Sequence, residues 1–241
     1  MKVSDYVAYK IDRFKTGYVF TCNDFELPVK KNDSVIKILN RLVKSGKLKK
    51  LSKGRFYKPL KSQFGDLMPV SYQVVKDLLK KNGEIIGYIT GYSAFNYLGL
   101  TTQVPNTIQI GTSKEKKPIT RGVYKIRFIK QVNNITKENI PLLQILDSIK
   151  FIKIIPDTTS DQACKQLISI IKELTPEQIN KLKNLVLKYS PATKALTGAI
   201  LELLYPDMNL DVIYKSLNAA TRYKLRIKEE TLPNKRNWNI K

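Results

Sequence analysis

The chain has 241 residues, 43 lysines and arginines against 20 acids, no histidine, and a formal net charge of +23. Its 42% hydrophobic content is enough to build real cores, so disorder is not the default. The absence of histidine excludes Ser-His-Asp, Cys-His and His-metal chemistry, and two cysteines far apart, Cys22 and Cys164, cannot form a zinc ribbon.

Those cysteines read as reduced residues of a cytosolic protein. Met1-Lys2-Val3-Ser4-Asp5 leads into a mixed segment without the apolar core of a signal peptide. No apolar run approaches the roughly 18–20 residues that cross a bilayer. The expectation is a soluble, cytoplasmic protein. The charge is uneven: +11 over residues 1–63, +6 over 64–136 and +6 over 137–241. A nucleic-acid surface is therefore expected in the first quarter.

Residues 3–14 read as an amphipathic helix with Val3, Val7, Ile11 and Phe14 on one side. Gly17–Phe20 is a short extended piece, and Thr21 caps a brief helix containing Asn23, Asp24 and Phe25. Phe14, Phe20 and Phe25 are core packing rather than base-stacking groups. From Lys31 to Pro59 the pattern sharpens. Val35, Ile36, Ile38, Leu39, Leu42 and Val43 define one helical face, with Asp33 or Ser34 as the N-cap and Ser45-Gly46 as the stop. Two extended runs follow, Lys47–Ser52 and Arg55–Lys58, joined by a tight turn at Lys53-Gly54. From Lys30 to Lys61 there are twelve lysines and arginines and a single acid, Asp33. A solvated helix face usually mixes signs. This one does not, and a helix followed by a basic ribbon is the second half of a winged helix-turn-helix.

Lys61–Met68 reads as a linker. Ser71–Asn82 is a second amphipathic helix closed by Gly83, and Ile85–Ile89 a buried strand. Thr90 caps a short helix, Tyr92–Leu98. Asn106–Gly111 and Val123–Gln131 are strands, joined by the lysine-rich Ser113–Arg121, which is either a phosphate-touching loop or a solvated hairpin tip. After Thr136 the pattern is helical: the apolar Ile140–Ile155, a capping box at Thr159 and Gln162, a stronger start at Thr175-Pro176-Glu177-Gln178, and Ser190-Pro191 ahead of Ala192–Leu204. Leu210–Lys228 is expected to be a last long helix with a solvated basic end (Arg222, Lys224, Arg226, Lys228). The tail Pro233–Lys241 is expected to be loose except where Trp238 docks.

The expected fold class is α+β: an N-terminal winged helix-turn-helix over residues 1–62, a small mixed α/β domain over 63–136, and a helical C-terminal region over 137–241. No phosphate-binding glycine loop is present. Carboxylates are sparse between residues 64 and 136, and Asp66 and Glu84 read as a turn residue and a surface charge rather than a nuclease pair. No catalytic activity, metal or other cofactor is expected.

The run GYVFTCNDF…SVIKILNRLVKSGKLKKLSKGRFYKP resembles the winged-helix domain of AbiEi-type antitoxins, from type IV (abortive-infection) toxin–antitoxin systems. The run IGYITGYSAFNYLGLTTQVPNTIQIGTS…RGVYKIRFIKQ is similar to the next domain of the same proteins, so the resemblance spans about residues 1–155. It implies a winged helix that binds and represses the promoter of its own operon at inverted repeats. It also implies a following domain that counteracts a nucleotidyltransferase-like toxin, without requiring direct contact with it. Homodimers on DNA fit that picture. In this sequence Ser34, Lys37, Asn40, Arg41 and Lys44 lie on or beside the exposed face of the recognition helix. Asn can read adenine, and Arg or Lys can read guanine. Lys49, Lys50, Lys53 and Arg55 on the wing are expected at phosphates. A basic RNA- or ribosome-associated protein, or a plain transcriptional regulator without a toxin, is the alternative.

Overall fold

The structure is a computed structural model describing residues 2–63 and 65–241. Met1, the expected start of the first domain, and Phe64, in the expected linker, lie outside the described residues. The chain is α+β and divides into two compact units. One contains the residues up to Asp77 together with Ile119–Tyr124; the other contains Leu78–Pro118 and Lys125–Lys241. The division falls within a helix, and a short later segment returns to the first unit.

The first unit begins with α1 (Val3–Arg13), which buries Val7 and Ile11. Strand β1 (Val19–Phe20) follows, then a 3-10 turn, Cys22–Phe25, capped by Thr21. Thr21 and Asp24 form a reciprocal capping box there, which satisfies backbone donors at the start of the turn. Next comes α2 (Asn32–Lys44), with Val35 and Leu39 fully buried. Asp33 and Ser34 do not cap it. A 3-10 turn at Val29–Lys31 runs straight into the helix, so both residues already lie inside the first turn, where Asp33 faces the positive end of the helix dipole.

At the far end Gly46 takes φ +76°, and Lys47 N–H reaches back to the Leu42 carbonyl at 3.0 Å, closing the helix with a left-handed residue that glycine supplies without a Cβ clash. Strands β2 (Lys49–Ser52) and β3 (Arg55–Tyr57) pair antiparallel around Lys53-Gly54, with an irregular register between Lys50 and Ser52. β1 adds to the other side of β3 through Val19↔Tyr57 and Phe20↔Phe56. Val7, Phe20, Phe25, Val35, Leu39, Leu48 and Phe56 form one core. Phe14 and Phe20 ring centroids stand 4.8 Å apart, so the N-terminal phenylalanines are packing groups.

The stretch expected as a linker is instead a second ribbon, β4 (Leu60–Ser62) with β5 (Gly65–Leu67), which pairs Leu60 with Leu67. Helix α3 (Ser71–Leu79) is shorter than expected. Asn82 and Gly83 both take positive φ, 50° and 84°, and form a hairpin turn between β6 (Lys80–Lys81) and β7 (Glu84–Ile85) rather than a helix end.

In the second unit β8 (Tyr88–Thr90) runs antiparallel to β9 (Thr107–Thr112). Between them lies α4 (Tyr92–Tyr97), and Thr90 does not cap it: Gly91 occupies that position. The segment β10 (Ile119–Arg121) belongs to the first unit, and β11 (Tyr124–Lys130) then pairs parallel to β9 from Lys125↔Thr107 to Lys130↔Thr112.

Four helices follow: α5 (Ile140–Lys150), α6 (Ser160–Lys172), α7 (Pro176–Leu185) and α8 (Pro191–Leu204). The capping boxes of α6 and α7 form at Thr159/Gln162 and Thr175/Gln178. α5 and α8 are apolar nearly all round and are correspondingly buried in the unit's core.

The last long helix does not form. Within the expected span only α9 (Asp211–Lys215) is helical; the chain beyond it folds back, extended over 223–228 and ending in a 3-10 turn, Lys235–Trp238. Tyr223 pairs with Ile240 in a parallel bridge, and Leu225, Ile227, Leu232 and Trp238 are all buried. The alternation of Tyr223, Leu225 and Ile227 with exposed lysines and arginines is the period of two of extended chain. The tail is docked rather than loose. No helix among the described residues is long and apolar enough to cross a membrane.

Candidate nucleic-acid interface

On α2 the exposed side chains are Asp33, Ser34, Lys37, Arg41 and Lys44, at steps of three and four that place Ser34, Lys37, Arg41 and Lys44 on one face. Asn40 is half-buried at the edge of that face. The opposite face packs Val35 and Leu39 onto the core that the sheet also covers, so helix and ribbon are fixed to one hydrophobic base. Only Ser45 to Leu48 separate the two elements.

The ribbon residues divide into two groups. Lys50 and Lys53 are exposed, and among the described residues neither they nor Lys37, Arg41 and Lys44 pair with an acid. Lys49 is tied to Asp66 at 3.1 Å, and Arg55, half-buried, donates to Asp77 at 2.7 Å. The expected set is thus placed together in the first unit, but only part of it is unpaired. Asp77 is shared. Both of its oxygens accept from Arg121, at 2.6 and 2.8 Å, and Oδ2 also accepts from Arg55. Half-burial pushes the Asp77 carboxyl upward, but the hydrogen bonds from Arg121 and Arg55 outweigh it and hold the group below the usual carboxylate range.

The sequence offered no spacing that joined Asp77 or Arg121 to the ribbon, because they lie 22 and 66 residues from Arg55. The Ser113–Arg121 stretch, expected as a basic loop or a hairpin tip, ends in a buried arginine that belongs to the first unit.

A second polar constellation lies inside the second unit. Asp147, in the middle of the apolar α5, is 2% exposed. It accepts from the Tyr88 and Thr90 hydroxyls, both at 2.6 Å, and from the Tyr189 hydroxyl at 2.9 Å. Gln131 Nε2 donates to both tyrosine oxygens, at 2.9 and 2.8 Å. Burial raises the Asp147 carboxyl, against the opposing hydrogen bonds from Thr90, Tyr88 and Tyr189. Every member is hydrogen-bonded, and the group joins β8, the residue after β11, α5 and the chain ahead of α8.

Asp66 holds Lys49 at 3.1 Å, and Glu84 sits on the β6–β7 hairpin. Among the described residues no group of three or more acids and cysteines could hold a metal ion. Cys22 and Cys164 are free thiols.

Fold and site together define a basic α+β protein that carries a row of unpaired cations on one helix and further unpaired lysines on the ribbon after it. Residues 6–179 match the model of a family of unknown function, DUF6088, and the chain belongs to that family. No curated protein matches it. Among solved structures it is similar to the RV2827C protein from Mycobacterium tuberculosis, with a TM-score of 0.56 at 11% identity, over 91% of this chain and 83% of that one. At that identity the likeness is one of fold.

Proposed function

We propose that the first unit is a winged helix-turn-helix that binds duplex DNA, with α2 as recognition helix and the β2–β3 ribbon as wing. The observation that carries the reading is the α2 face. Lys37, Arg41 and Lys44 are exposed in one row without an acid partner among the described residues, and Lys50 and Lys53 on the ribbon are exposed and equally unpaired. A row of that kind fits a major groove and its flanking phosphates. Following the resemblance to AbiEi-type antitoxins, we extend the proposal to a cytoplasmic autorepressor. It would act on its own promoter, as two copies on one operator, and counteract a nucleotidyltransferase-like toxin. That role needs no catalysis by this chain.

The test is a fluorescence-anisotropy titration of the DNA upstream of the gene across a salt series. If one module neutralises about four phosphates, the log–log salt slope is roughly −3.6, from about −0.9 per phosphate. Binding that ignores salt, or that survives loss of Lys37, Arg41, Lys50 and Lys53 together, refutes the DNA reading. Co-expression with the neighbouring gene tests the antitoxin reading: growth arrest that persists in the presence of this protein removes it.

A further inference from the structure

The cluster around Asp77 joins three segments far apart in sequence: β3 through Arg55, α3 through Asp77, and Ile119–Tyr124 through Arg121. Arg121 is 4% exposed and gives its third contact, at 2.6 Å, to the Val74 carbonyl of α3. The side chain of Arg55 remains 29% exposed. At Gly122, φ is +58° and an added Cβ would stand 2.8 Å from the Leu51 carbonyl oxygen, so this returning segment is built directly against β2.

Charge counting decides what the cluster leaves over. Two guanidiniums share one carboxylate, for a net charge of +1. A buried cation needs its counter-ion far more than an exposed one does, and Arg121 takes both Asp77 oxygens in the paired geometry that best satisfies a guanidinium. The uncompensated charge is therefore that of Arg55, whose Nη2 is nonetheless tethered to Asp77 Oδ2. An arginine held this way loses less rotamer freedom when it meets an anion than a free surface lysine does.

We propose that Asp77 and Arg121 are positioning residues for DNA binding, fixing the Arg55 guanidinium on the ribbon as a preset phosphate contact. This rests on the duplex-binding reading above. Its distinctive consequence is that removing an acid from the first unit weakens its affinity for a polyanion, the reverse of what net charge alone dictates.

The experiment is the same duplex titration across salt, run on the full chain and on Arg55→Ala, Arg55→Lys and Asp77→Asn, with a thermal melt of each. Arg55→Ala should flatten the slope by about 0.9, the share of one phosphate. Arg55→Lys should keep the slope, because the charge stays, yet bind roughly threefold to tenfold more weakly as the planar, tethered fork is lost. Asp77→Asn should weaken binding by a similar factor at unchanged slope. Tighter binding by Asp77→Asn, or a slope unmoved by Arg55→Ala, overturns the positioning role while leaving the DNA reading in place. Absence of salt-dependent binding by the unaltered chain removes both. Should Asp77→Asn melt early, the contrast between Arg55→Lys and Arg55→Ala decides alone: equal binding by the lysine variant and the unaltered chain defeats the proposal.

Discussion

Gly198 lies in the middle of α8 with the Trp238 ring packed across it. A Cβ built on Gly198 would fall 2.2, 2.4 and 2.6 Å from three atoms of the indole six-membered ring, where ordinary contact begins at 3.4 Å. The ring would have to retreat by more than an ångström. It has nowhere to go: Trp238 is 2% exposed, its Nε1–H donates to Glu202 at 3.0 Å, and Tyr214 meets it edge-on with centroids 5.6 Å apart. Gly198→Ala therefore expels the indole. Losing a buried side chain of this size costs about 3–5 kcal/mol. Alanine returns about 1 kcal/mol of helix propensity, for a net loss of about 2–4 kcal/mol. The chain has one tryptophan, so its emission reports this site alone. Urea denaturation of Gly198→Ala should show a lower midpoint, and its native emission should shift to the red. A variant with the original midpoint and an unshifted spectrum refutes the docked tail.

Four further outcomes are expected. Lys37→Ala combined with Arg41→Ala should flatten the salt slope of duplex binding by about 1.8, two phosphates' worth, while the unfolding midpoint stays level or rises. Asp147→Asn should change how stability depends on pH. Burial lifts the folded-state carboxyl above its unfolded value, so the unfolded chain gives up that proton first, and stability falls as pH climbs from the unfolded toward the folded pKa. Denaturation midpoints measured upward from about pH 4 should therefore decline less steeply in the asparagine variant, and parallel curves would count against the burial account. Cys164 is fully buried with its thiol pushed up to about 12, whereas Cys22 is half-exposed. Mass spectrometry of the native chain after brief alkylation near pH 8 should find Cys22 modified and Cys164 spared. Gly111→Ala would drive a Cβ to within 2.3 Å of the Tyr88 ring and should destabilise the second unit, read as a lowered urea midpoint.

Local signals in the sequence carried the elements whose stability is local. The Thr159/Gln162 and Thr175/Gln178 boxes start helices because each satisfies its backbone donors within four residues. The α2 face was legible for the same reason, since periodicity and charge sit within one helix. Glycine and charge each carry more than one meaning in a sequence. Asn82-Gly83 can end a helix or turn a hairpin, and the pairing of Lys80–Lys81 with Glu84–Ile85 selects the hairpin. Arg222, Lys224, Arg226 and Lys228 follow a step of two, the period of extended chain rather than of a helix, and the apolar residues between them face the core. What could not be read was any contact whose partners are remote. Asp77 sits between Arg55 and Arg121, and Asp147 gathers hydroxyls from Tyr88, Thr90 and Tyr189. A lone acid inside the run ILDSI was the one visible sign of the second cluster.

The placement of the acids decides which cations of the first unit are left over. Asp24 caps a turn, Glu26 meets Lys10, Asp66 meets Lys49, and Asp77 lies between its two arginines. Among the described residues none pairs with Lys37, Arg41 or Lys44, and Asp33, exposed one turn before Lys37, forms no ion pair. Lys37, Arg41 and Lys44 stand on the outer face of α2 at spacings of four and three, and like charges so placed cost about 0.2–0.5 kcal/mol per pair. The free protein thus carries a small self-repulsion that its buried core must hold in check, and a row of phosphates would relieve it. Stability and binding then respond to the same side chains with opposite sign. Removing Lys37 and Arg41 should relieve about 0.4–1 kcal/mol in the free state, from two such pairs, and, on the proposed duplex-binding reading, should weaken binding to duplex. Residues kept for packing cannot behave this way, because their loss lowers both quantities together. A double variant that loses stability as well as affinity would mean that the row supports the fold and that its charge is incidental.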